Sequence, residues 1–374
     1  MNKRILVCST DLMMIQFLIP HIKNLFENGF DVEIACSEVG DRMAEIREKL
    51  DGVAVIHTVR LVRSPFSPEN IKGYADMKNI ISAGNFDIIW TNEPVMGVVT
   101  RLAARKARKK GTRVLYMVHG FHFFKGASAF NKLVFYPVEK LSAHLTDAII
   151  TMNNEDFLAA KAFAVGKVYK INGIGVETAA YKKDASLRAQ YREQLGVKFD
   201  EIMLFNVGEL TDRKNQTVIL EALAKLDDPS IKLFICGRGD KEAELKSIVN
   251  SRGLSSRVVF LGYRLDVPAI YSASDCFVFS SKQEGLPKAV MEAMAASLPV
   301  ICSNIRGNND LIADGEGGLL VENTSEAFAG AIKHFADDPD SFCCMGEYNA
   351  NAVKAYETDI AKKAVLDIIN EMTA

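Results

Sequence analysis

The sequence lacks the residue spacings that metal centres and disulfide-linked folds require. Its seven cysteines are an odd number, and no two of them have CxxC spacing. Most of them lie in apolar, strand-like runs, so we expect buried free thiols in a reducing compartment. The six histidines form no ligand spacing with them. A metal centre and a disulfide framework are therefore not expected.

Long apolar runs and a strong charge of one sign are also missing. No run could cross a bilayer, and residues 1–4 lead into a strand without a signal-peptide pattern, so we expect a cytoplasmic protein that could still touch the inner face of a membrane. The net charge of -2 over 374 residues excludes a general nucleic-acid binder, which needs a strongly basic face. Charge is unevenly distributed at residues 101–110, which contain six cations and no acid.

What the sequence does contain is a regular alternation of strand-like and helix-length segments. The strand-like runs are residues 4–9, 32–36, 53–59, 87–90, 114–118, 148–151 and 168–171, and then 202–207, 232–236, 258–261, 276–279, 300–302 and 319–321. Strands that alternate with helices indicate parallel βαβ units. The pattern predicts an α/β protein with two Rossmann-like, doubly wound parallel-sheet domains that face a cleft.

The length also favours two domains. We place the first, acceptor-binding domain at residues 1–177 and the second, nucleotide-sugar-binding domain at residues 178–355. Residues 356–374 are predicted to form a C-terminal helix that packs back on the first domain. The binding roles in these names follow from the family resemblance given below.

Residues 275–310 carry the main candidate site. An apolar strand is followed by a loop with Glu284, and then by a helix with Pro287 in its first turn. A helix start beyond a parallel strand favours a phosphate. Glu292 lies eight residues after Glu284, so one carboxylate could bind the hydroxyl groups of a sugar and the other those of a ribose. Equally, Glu292 could pair with Lys288, and Glu284 could be a simple helix-start acid.

Two other loops could contribute to binding. After residues 202–207 come Gly208, which permits close backbone approach, and the adjacent cations Arg213 and Lys214, which could neutralise a diphosphate. A solvated helix start is the other interpretation of this loop. In the first domain, His119 lies at the carboxyl end of a strand, directly before a glycine, where it serves either a site or the core.

Aromatic residues follow the basic stretch closely in sequence. Phe121, Phe123, Phe124, Phe130, Phe135 and Tyr136 lie just after residues 101–113. Cations beside aromatics could hold the protein against an anionic membrane, each cation contributing up to ~1 kcal/mol. The alternative is that the aromatics are core residues and the cations a solvated face.

These motifs together resemble a known family. Glu284-Gly285-Leu286-Pro287, followed by Glu292 and by Pro299-Val300, is similar to the Glu-x7-Glu signature of retaining glycosyltransferases of family four, which have the GT-B fold. The resemblance covers nearly the whole chain. Residues 9–11, 119–126, 173–176, 207–210 and 305–308 resemble the capsular and exopolysaccharide branch.

The resemblance implies a role for each candidate residue. Lys214, with Gly208 and Arg213, would bind the diphosphate of a nucleotide-sugar. Glu284 would bind the transferred sugar, Glu292 the ribose and Tyr263 the base, and His119 would contact the sugar from the first domain. The phosphate or sugar would be surrounded by Gly285, Leu286, Pro287 and Lys288. Thr10, Asp11, His122 and Lys125 are assigned to the acceptor side. Two departures are Glu209, where many relatives have arginine, and a first loop without glycines.

The implied activity is that of a retaining, metal-independent hexosyltransferase. A hexose or N-acetylhexosamine would pass from a nucleotide-sugar, expected to be a UDP-sugar, to a glycan or polyprenyl-diphosphate-linked acceptor in cell-surface polysaccharide synthesis. No cofactor is implied, since the nucleotide-sugar is a co-substrate. The alternatives are an epimerase or phosphorylase on the same scaffold and a non-catalytic nucleotide-sugar-binding scaffold protein.

Overall fold

The structure is a computed structural model that describes residues 2–38, 43–163 and 165–374. The chain forms two compact units, of which the first is Met1–Gly175 with Thr358–Ala374 and the second is Val176–Glu357. Each unit is built on one parallel sheet.

The first unit contains a seven-stranded sheet. Its elements are β1 (Lys3–Asp11), α1 (Leu12–Glu27), β2 (Phe30–Ser37), α2 (Met43–Leu50), β3 (Ala54–Thr58), α3 (Glu69–Gly84), β4 (Ile88–Asn92), α4 (Pro94–Ala103), α5 (Arg105–Arg108), β5 (Arg113–Met117), α6 (Ala129–Ala143), β6 (Ala148–Thr151), α7 (Asn154–Lys161) and β7 (Lys167–Lys170). The strand order is β3-β2-β1-β4-β5-β6-β7, and every strand pair is parallel. The order reverses between β1 and β4, which is where open α/β sheets bind ligands.

The second unit contains a six-stranded sheet of order β10-β9-β8-β11-β12-β13. Its elements are α8 (Thr178–Tyr181), α9 (Ala185–Gln194), β8 (Ile202–Val207), α10 (Gln216–Lys225), β9 (Ile231–Cys236), α11 (Glu242–Ser251), β10 (Val258–Gly262), α12 (Val267–Ala273), β11 (Cys276–Phe279), α13 (Lys288–Ala295), β12 (Val300–Ser303), α14 (Asn308–Leu311), β13 (Gly318–Val321), α15 (Ser325–Asp337) and α16 (Cys343–Ala352), with 3-10 helices at Pro339–Phe342 and Val353–Tyr356. The strand order reverses between β8 and β11.

Alternate side chains of β11 enter the two cores of the second unit. Phe277 and Phe279 pack in one apolar cluster with residues of α13, and Val278 packs in the other with residues of α10 and α15. A parallel strand covered on both faces needs a continuous apolar run. The two predicted doubly wound parallel sheets are thus confirmed.

The last helix, α17 (Thr358–Thr373), belongs to the first unit. The Lys3 ammonium donates to the Thr373 hydroxyl at 3.0 Å, and the Tyr169 hydroxyl donates to Glu371 at 2.9 Å. Both ends of the chain therefore meet in one unit. Within the described residues, no helix combines the length and apolar character needed to cross a membrane.

Candidate functional site

Two loops of the second unit lie side by side at the carboxyl edge of its sheet. Residues 208–215 follow β8 and residues 280–287 follow β11, and these strands are neighbours at the point where the strand order reverses. The topology therefore brings together the two loops that carry Lys214 and Glu284.

A carboxylate with two cations forms the centre of this edge. One oxygen of Glu284, Oε1, accepts hydrogen bonds from Lys214 Nζ at 2.7 Å, Arg213 Nη1 at 3.0 Å and Ser281 Oγ at 2.7 Å. The Glu284 and Lys214 side chains are only 9% and 12% exposed, whereas Arg213 is 41% exposed. Arg213 also lies 3.6 Å from the exposed Glu209 carboxylate, so the two cations have two acidic partners. Their remaining N–H donors suit a diphosphate.

The electrostatics keep Glu284 ionised. Burial by itself raises the pKa of this carboxyl, but the charges of Lys214 and Arg213 and the hydrogen bonds from Lys214 and Ser281 outweigh burial, and the pKa lies below its ordinary value of 4.5. An ionised carboxylate only accepts hydrogen bonds. Glu284 can therefore orient the hydroxyl groups of a ligand.

Glycine is required where the loops after β8 and β9 approach each other. Gly208 and Gly237 have φ of +154° and +147°, and a Cβ on Gly237 would lie 1.9 Å from the Gly208 carbonyl oxygen. A Cβ on Gly208 would lie 3.4 Å from Cε of Lys214. That distance is an ordinary van der Waals contact, so the positive φ of Gly208, and not the space for Lys214, is what favours glycine at this position.

Three residues that sequence reasoning missed hold the Glu284 loop in place. Ser303 Oγ donates to the Ser281 carbonyl at 2.6 Å, Asn323 Nδ2 donates to the same carbonyl at 3.2 Å, and Arg306 Nε donates to the Glu284 carbonyl at 2.9 Å. Ser303 ends β12, Arg306 follows β12 and Asn323 follows β13, so all three lie at the same sheet edge. Their position after apolar strands is the signal that could have identified them.

Glu292 is held by two tyrosines. Tyr181 Oη donates to its Oε1 at 2.8 Å and Tyr271 Oη lies 3.4 Å from its Oε2, whereas Lys288 Nζ is 3.9 Å away. Burial raises the pKa of this carboxyl, and Lys288 and the tyrosine hydrogen bonds only partly offset the effect. Pairing with Lys288 alone therefore does not account for the position of Glu292.

The remaining predicted donor residues lie at the same edge of the sheet. Gly285 and Leu286 lead to Pro287, which is the N-cap of α13 and not part of its first turn, and Lys288 is the first helical residue. The first N–H groups of such a helix lack partners within the helix. Tyr263 follows β10, two strands from β8, and is 51% exposed.

In the first unit, the same kind of edge contains a carboxylate that the sequence analysis did not select. Glu93 follows β4 and accepts hydrogen bonds from Ser9 Oγ at 2.6 Å and from the Thr10 N–H at 2.7 Å, both at the end of β1. Its φ of +62° is strained for a residue other than glycine. Burial raises the pKa of Glu93 above its ordinary value, and the two hydrogen bonds offset the effect in part. An acid directly after a buried strand was the available signal.

Two of the predicted acceptor-side residues are anchored at this edge. Asp11 is the N-cap of α1, accepts from the Met14 N–H at 3.2 Å, and is paired with Arg63 Nε at 2.7 Å. The Thr10 carbonyl accepts from Ser37 Oγ at 2.6 Å. Polar groups from three segments of the chain thus converge beside Glu93.

His119 has one defined tautomer. Asn92 Nδ2 donates to the Cys8 carbonyl at 3.1 Å, so the other amide atom, Oδ1, is the acceptor that lies 3.0 Å from His119 Nε2. Nε2 must therefore carry the proton, and Nδ1 is the accepting nitrogen. Burial, with a small effect of His21, lowers the pKa of His119 to about 4, so the ring is neutral at pH 7.

The other two acceptor-side candidates lie in the segment that precedes α6. His122 stacks on Phe135 with ring centroids 4.6 Å apart, and the backbone N–H of Lys125 donates to Glu155 at 2.5 Å. Phe121 and Phe123 are 2% and 9% exposed and belong to the core. Among the residues that the structure describes, no group of three or more His, Cys, Asp or Glu side chains could hold a metal ion.

Comparisons with known proteins identify the family of the chain. Residues 188–353 match the family model for glycosyl transferases group 1, and residues 21–155 match the model for Glycosyltransferase Family 4. The protein EpsD of Bacillus subtilis is 38% identical over 93% of this chain and 91% of its own length. The chain belongs to glycosyltransferase family 4.

Other relatives of this family 4 glycosyltransferase extend the comparison. The UDP-Gal:alpha-D-GlcNAc-diphosphoundecaprenol alpha-1,3-galactosyltransferase of Escherichia coli is 32% identical over 83% of this chain and 81% of its own length. Anabaena HepE, solved in complex with UDP and glucose, has a TM-score of 0.83 at 20% identity and covers 99% of this chain and 100% of its own. The structural likeness shows the GT-B fold. Neither the epimerase or phosphorylase alternative nor the non-catalytic scaffold is supported by these relatives.

Proposed function

We propose that this glycosyltransferase moves a hexose or N-acetylhexosamine, with retention of anomeric configuration, from a UDP-sugar to a polyprenyl-diphosphate-linked or other glycan acceptor in cell-surface polysaccharide synthesis. The observation that carries the proposal is the contact of Lys214 and Arg213 with Glu284 at the reversal of strand order. The name of the Escherichia coli relative, which specifies a UDP-sugar and a diphosphoundecaprenol acceptor, supports both substrate classes.

The charges of this edge support a donor site here. Lys214 has three N–H donors, so it can keep its hydrogen bond to Glu284 while it donates to a phosphate oxygen. Arg213 adds a second cation, and the start of α13 adds N–H groups. Glu284 accepts from the sugar hydroxyls, Glu292 from the ribose, and Tyr263 supports the base.

The reaction breaks the bond between the sugar and the diphosphate. Negative charge develops on the departing phosphate, where Lys214, Arg213 and the helix N–H groups stabilise it without a metal ion. The acceptor hydroxyl attacks from the face that the diphosphate leaves, and the departing phosphate takes its proton. Glu284 orients the sugar and forms no covalent bond to it, unlike the nucleophile of retaining glycosidases.

His119 would contribute from the first unit. Its neutral ring presents Nδ1 as an acceptor for a sugar hydroxyl, while Thr10, Asp11, His122 and Lys125 serve the acceptor side. Such an enzyme would work in the cytoplasm at the inner face of the membrane, where polyprenyl-linked acceptors are available.

The test is a transfer assay with a panel of UDP-sugars and a polyprenyl-diphosphate-linked sugar, run with and without a metal chelator. We expect one donor to give a product whose new glycosidic bond has the anomeric configuration of the donor by NMR, at a rate that the chelator does not change. An inverted product, or a glycosyl adduct trapped on Glu284, would contradict the mechanism.

A further inference from the structure

Helix α6 has the reverse of the usual polarity of a surface helix. Its apolar residues Phe130, Leu133, Pro137 and Leu141 recur at intervals of three and four residues, which places them on one face. That face is turned to solvent, since Leu133 and Leu141 are 76% and 70% exposed and Phe130 is 59% exposed. A surface helix normally turns such a stripe to the core. We call these four residues the α6 apolar face.

The buried side of the same helix carries the charge. Glu139 is 4% exposed, and its carboxylate accepts hydrogen bonds from Arg101 at 2.8 Å and from the Tyr116 hydroxyl at 3.0 Å. Breaking a buried ion pair of this kind is costly, so the helix is fixed in this orientation. The α6 apolar face is therefore a permanent feature of the surface.

The exposed charges that α6 and its flanking residues contribute are all of one sign. Between residues 124 and 145, all of them described, Lys125, Lys132 and Lys140 are exposed, and the single acid, Glu139, is buried. Apolar residues flanked by lysines are the pattern of a helix that lies in the plane of an anionic membrane.

A basic cluster continues this surface at the C-terminal end of α6. The Arg108 guanidinium donates to the His144 carbonyl at 3.2 Å, which fixes α5 beside that end of the helix. A depression of about 640 Å³ next to α5 is lined by five exposed or partly exposed cations, Lys78, Arg105, Lys106, Lys109 and Lys110. No ion pair engages these five cations among the described residues, so they are available to lipid headgroups.

We propose that the α6 apolar face and this basic cluster dock the enzyme on a bilayer that contains anionic lipid. A second copy of the chain fits less well, because a twofold contact would bring Lys132 and Lys140 of both copies together. The reason for such docking rests on the proposed function, in which the acceptor is linked to a lipid. Helix α6 begins just after residues 119–126 at the carboxyl edge of the sheet, so an acceptor leaving the bilayer would emerge beside the acceptor side.

The first experiment measures sedimentation of the full chain with vesicles, without donor or acceptor. We expect binding to vesicles of phosphatidylglycerol and phosphatidylcholine, and little binding to phosphatidylcholine alone. Leu133→Glu/Leu141→Glu should reduce the partition coefficient at least about tenfold, since it places two acids in the face that would enter the bilayer. The exposed positions leave folding intact, which a melting curve checks. Phe199→Glu, at a site 104% exposed in the second unit, is the matched control and should bind like wild type.

The second variant tests the charges. Lys132→Ala/Lys140→Ala should lower binding by about tenfold and flatten its dependence on salt. Lys333→Ala/Lys363→Ala removes two cations that are 63% and 76% exposed elsewhere, and should change binding little.

Three results would overturn the inference. These are no binding of the wild type to the anionic vesicles, equal binding by Leu133→Glu/Leu141→Glu, or light scattering that shows a dimer which this variant dissociates. Hydrolysis of the donor without acceptor or lipid should be the same in wild type and in this variant. A chain that binds vesicles but hydrolyses no donor would thus refute the proposed function alone.

Discussion

The Lys214 ammonium lies 2.7 Å from the Glu284 carboxylate, although the two residues are 70 positions apart in the chain. Both side chains are largely buried, and the Lys214 ammonium also lies 4.7 Å from the centre of the Phe279 ring. Burying two charges is expensive, and an apolar pair of similar volume is often as stable. The pair is thus better explained by ligand binding than by stability.

Glu284→Gln should separate catalysis from nucleotide binding. The amide cannot offer the same acceptor to the sugar, so we expect kcat/KM for transfer to fall by ~100-fold or more. UDP affinity should stay equal or increase, because Lys214 and Arg213 no longer share their charge with a carboxylate. Steady-state kinetics and calorimetry with UDP measure the two effects.

Glu209→Gln is the matched control for this substitution. It removes the same charge from a side chain that is 66% exposed and 3.6 Å from Arg213. Transfer should change less than about threefold, since an exposed pair contributes little. An equal loss in both variants would show that net charge, and not the position of Glu284, determines activity.

The two cations should differ in their effect on UDP. Lys214→Met should weaken UDP binding by ~10- to 100-fold, the range expected for a lost hydrogen bond to a charged group. Arg213→Met should weaken it less, because the Arg213 side chain is 41% exposed and that of Lys214 is 12% exposed. Calorimetry measures the UDP affinity of both variants. A larger loss of affinity in Arg213→Met would show that Arg213, and not Lys214, is the main cation for UDP.

Glu292 should be the residue that distinguishes ribose from deoxyribose. Wild-type enzyme should bind UDP more tightly than 2′-deoxy-UDP by ~10-fold, and Glu292→Gln should bring the two affinities together. Tyr181→Phe removes the 2.8 Å hydrogen bond to Glu292 and should reduce the preference only in part. An unchanged preference in Glu292→Gln would exclude a contact with the ribose.

His119 should make the protein less stable in acid. Its pKa is about 4 in the folded protein against 6.5 for an unperturbed histidine, so the unfolded chain binds the additional proton first as pH falls. Stability is therefore lost between pH 6.5 and pH 4, by up to ~3 kcal/mol, and no further loss from this group occurs below that range. In His119→Gln the unfolding free energy from denaturant titration should fall less over the same interval. Parallel curves for the two proteins would mean that His119 does not titrate in this way.

Glu93 should act on the acceptor and not on the nucleotide. Glu93→Gln keeps the shape of the side chain but weakens the hydrogen bonds to Ser9 and to the Thr10 N–H, which have charged-group strength in the wild type. We expect KM for the acceptor to rise by ~10-fold, with UDP affinity unchanged because Glu93 and the donor residues belong to different units. A change in UDP affinity of similar size would contradict this division.

The sequence was sufficient for the two sheets because buried parallel strands are apolar runs that can be read directly. Lys214 and Glu284 could each be named from motifs, but their 2.7 Å contact depends on the adjacency of β8 and β11. Glu93 and Arg306 were missed because, although each follows an apolar strand, their hydrogen-bond partners come from distant segments of the chain. Tyr181, 111 positions from Glu292, was missed for the same reason.

The most direct test of the central claim is hydrolysis of UDP-sugars in the absence of acceptor, measured as UDP release over a donor panel for wild type, Glu284→Ala and Glu209→Gln. The proposed site predicts slow release from at least one donor by wild type and by Glu209→Gln, and ~100-fold slower release by Glu284→Ala. Release from no donor, with no UDP-sugar bound in calorimetry, or equal release by Glu284→Ala, would contradict the assignment of the Lys214–Glu284 pair as the donor site.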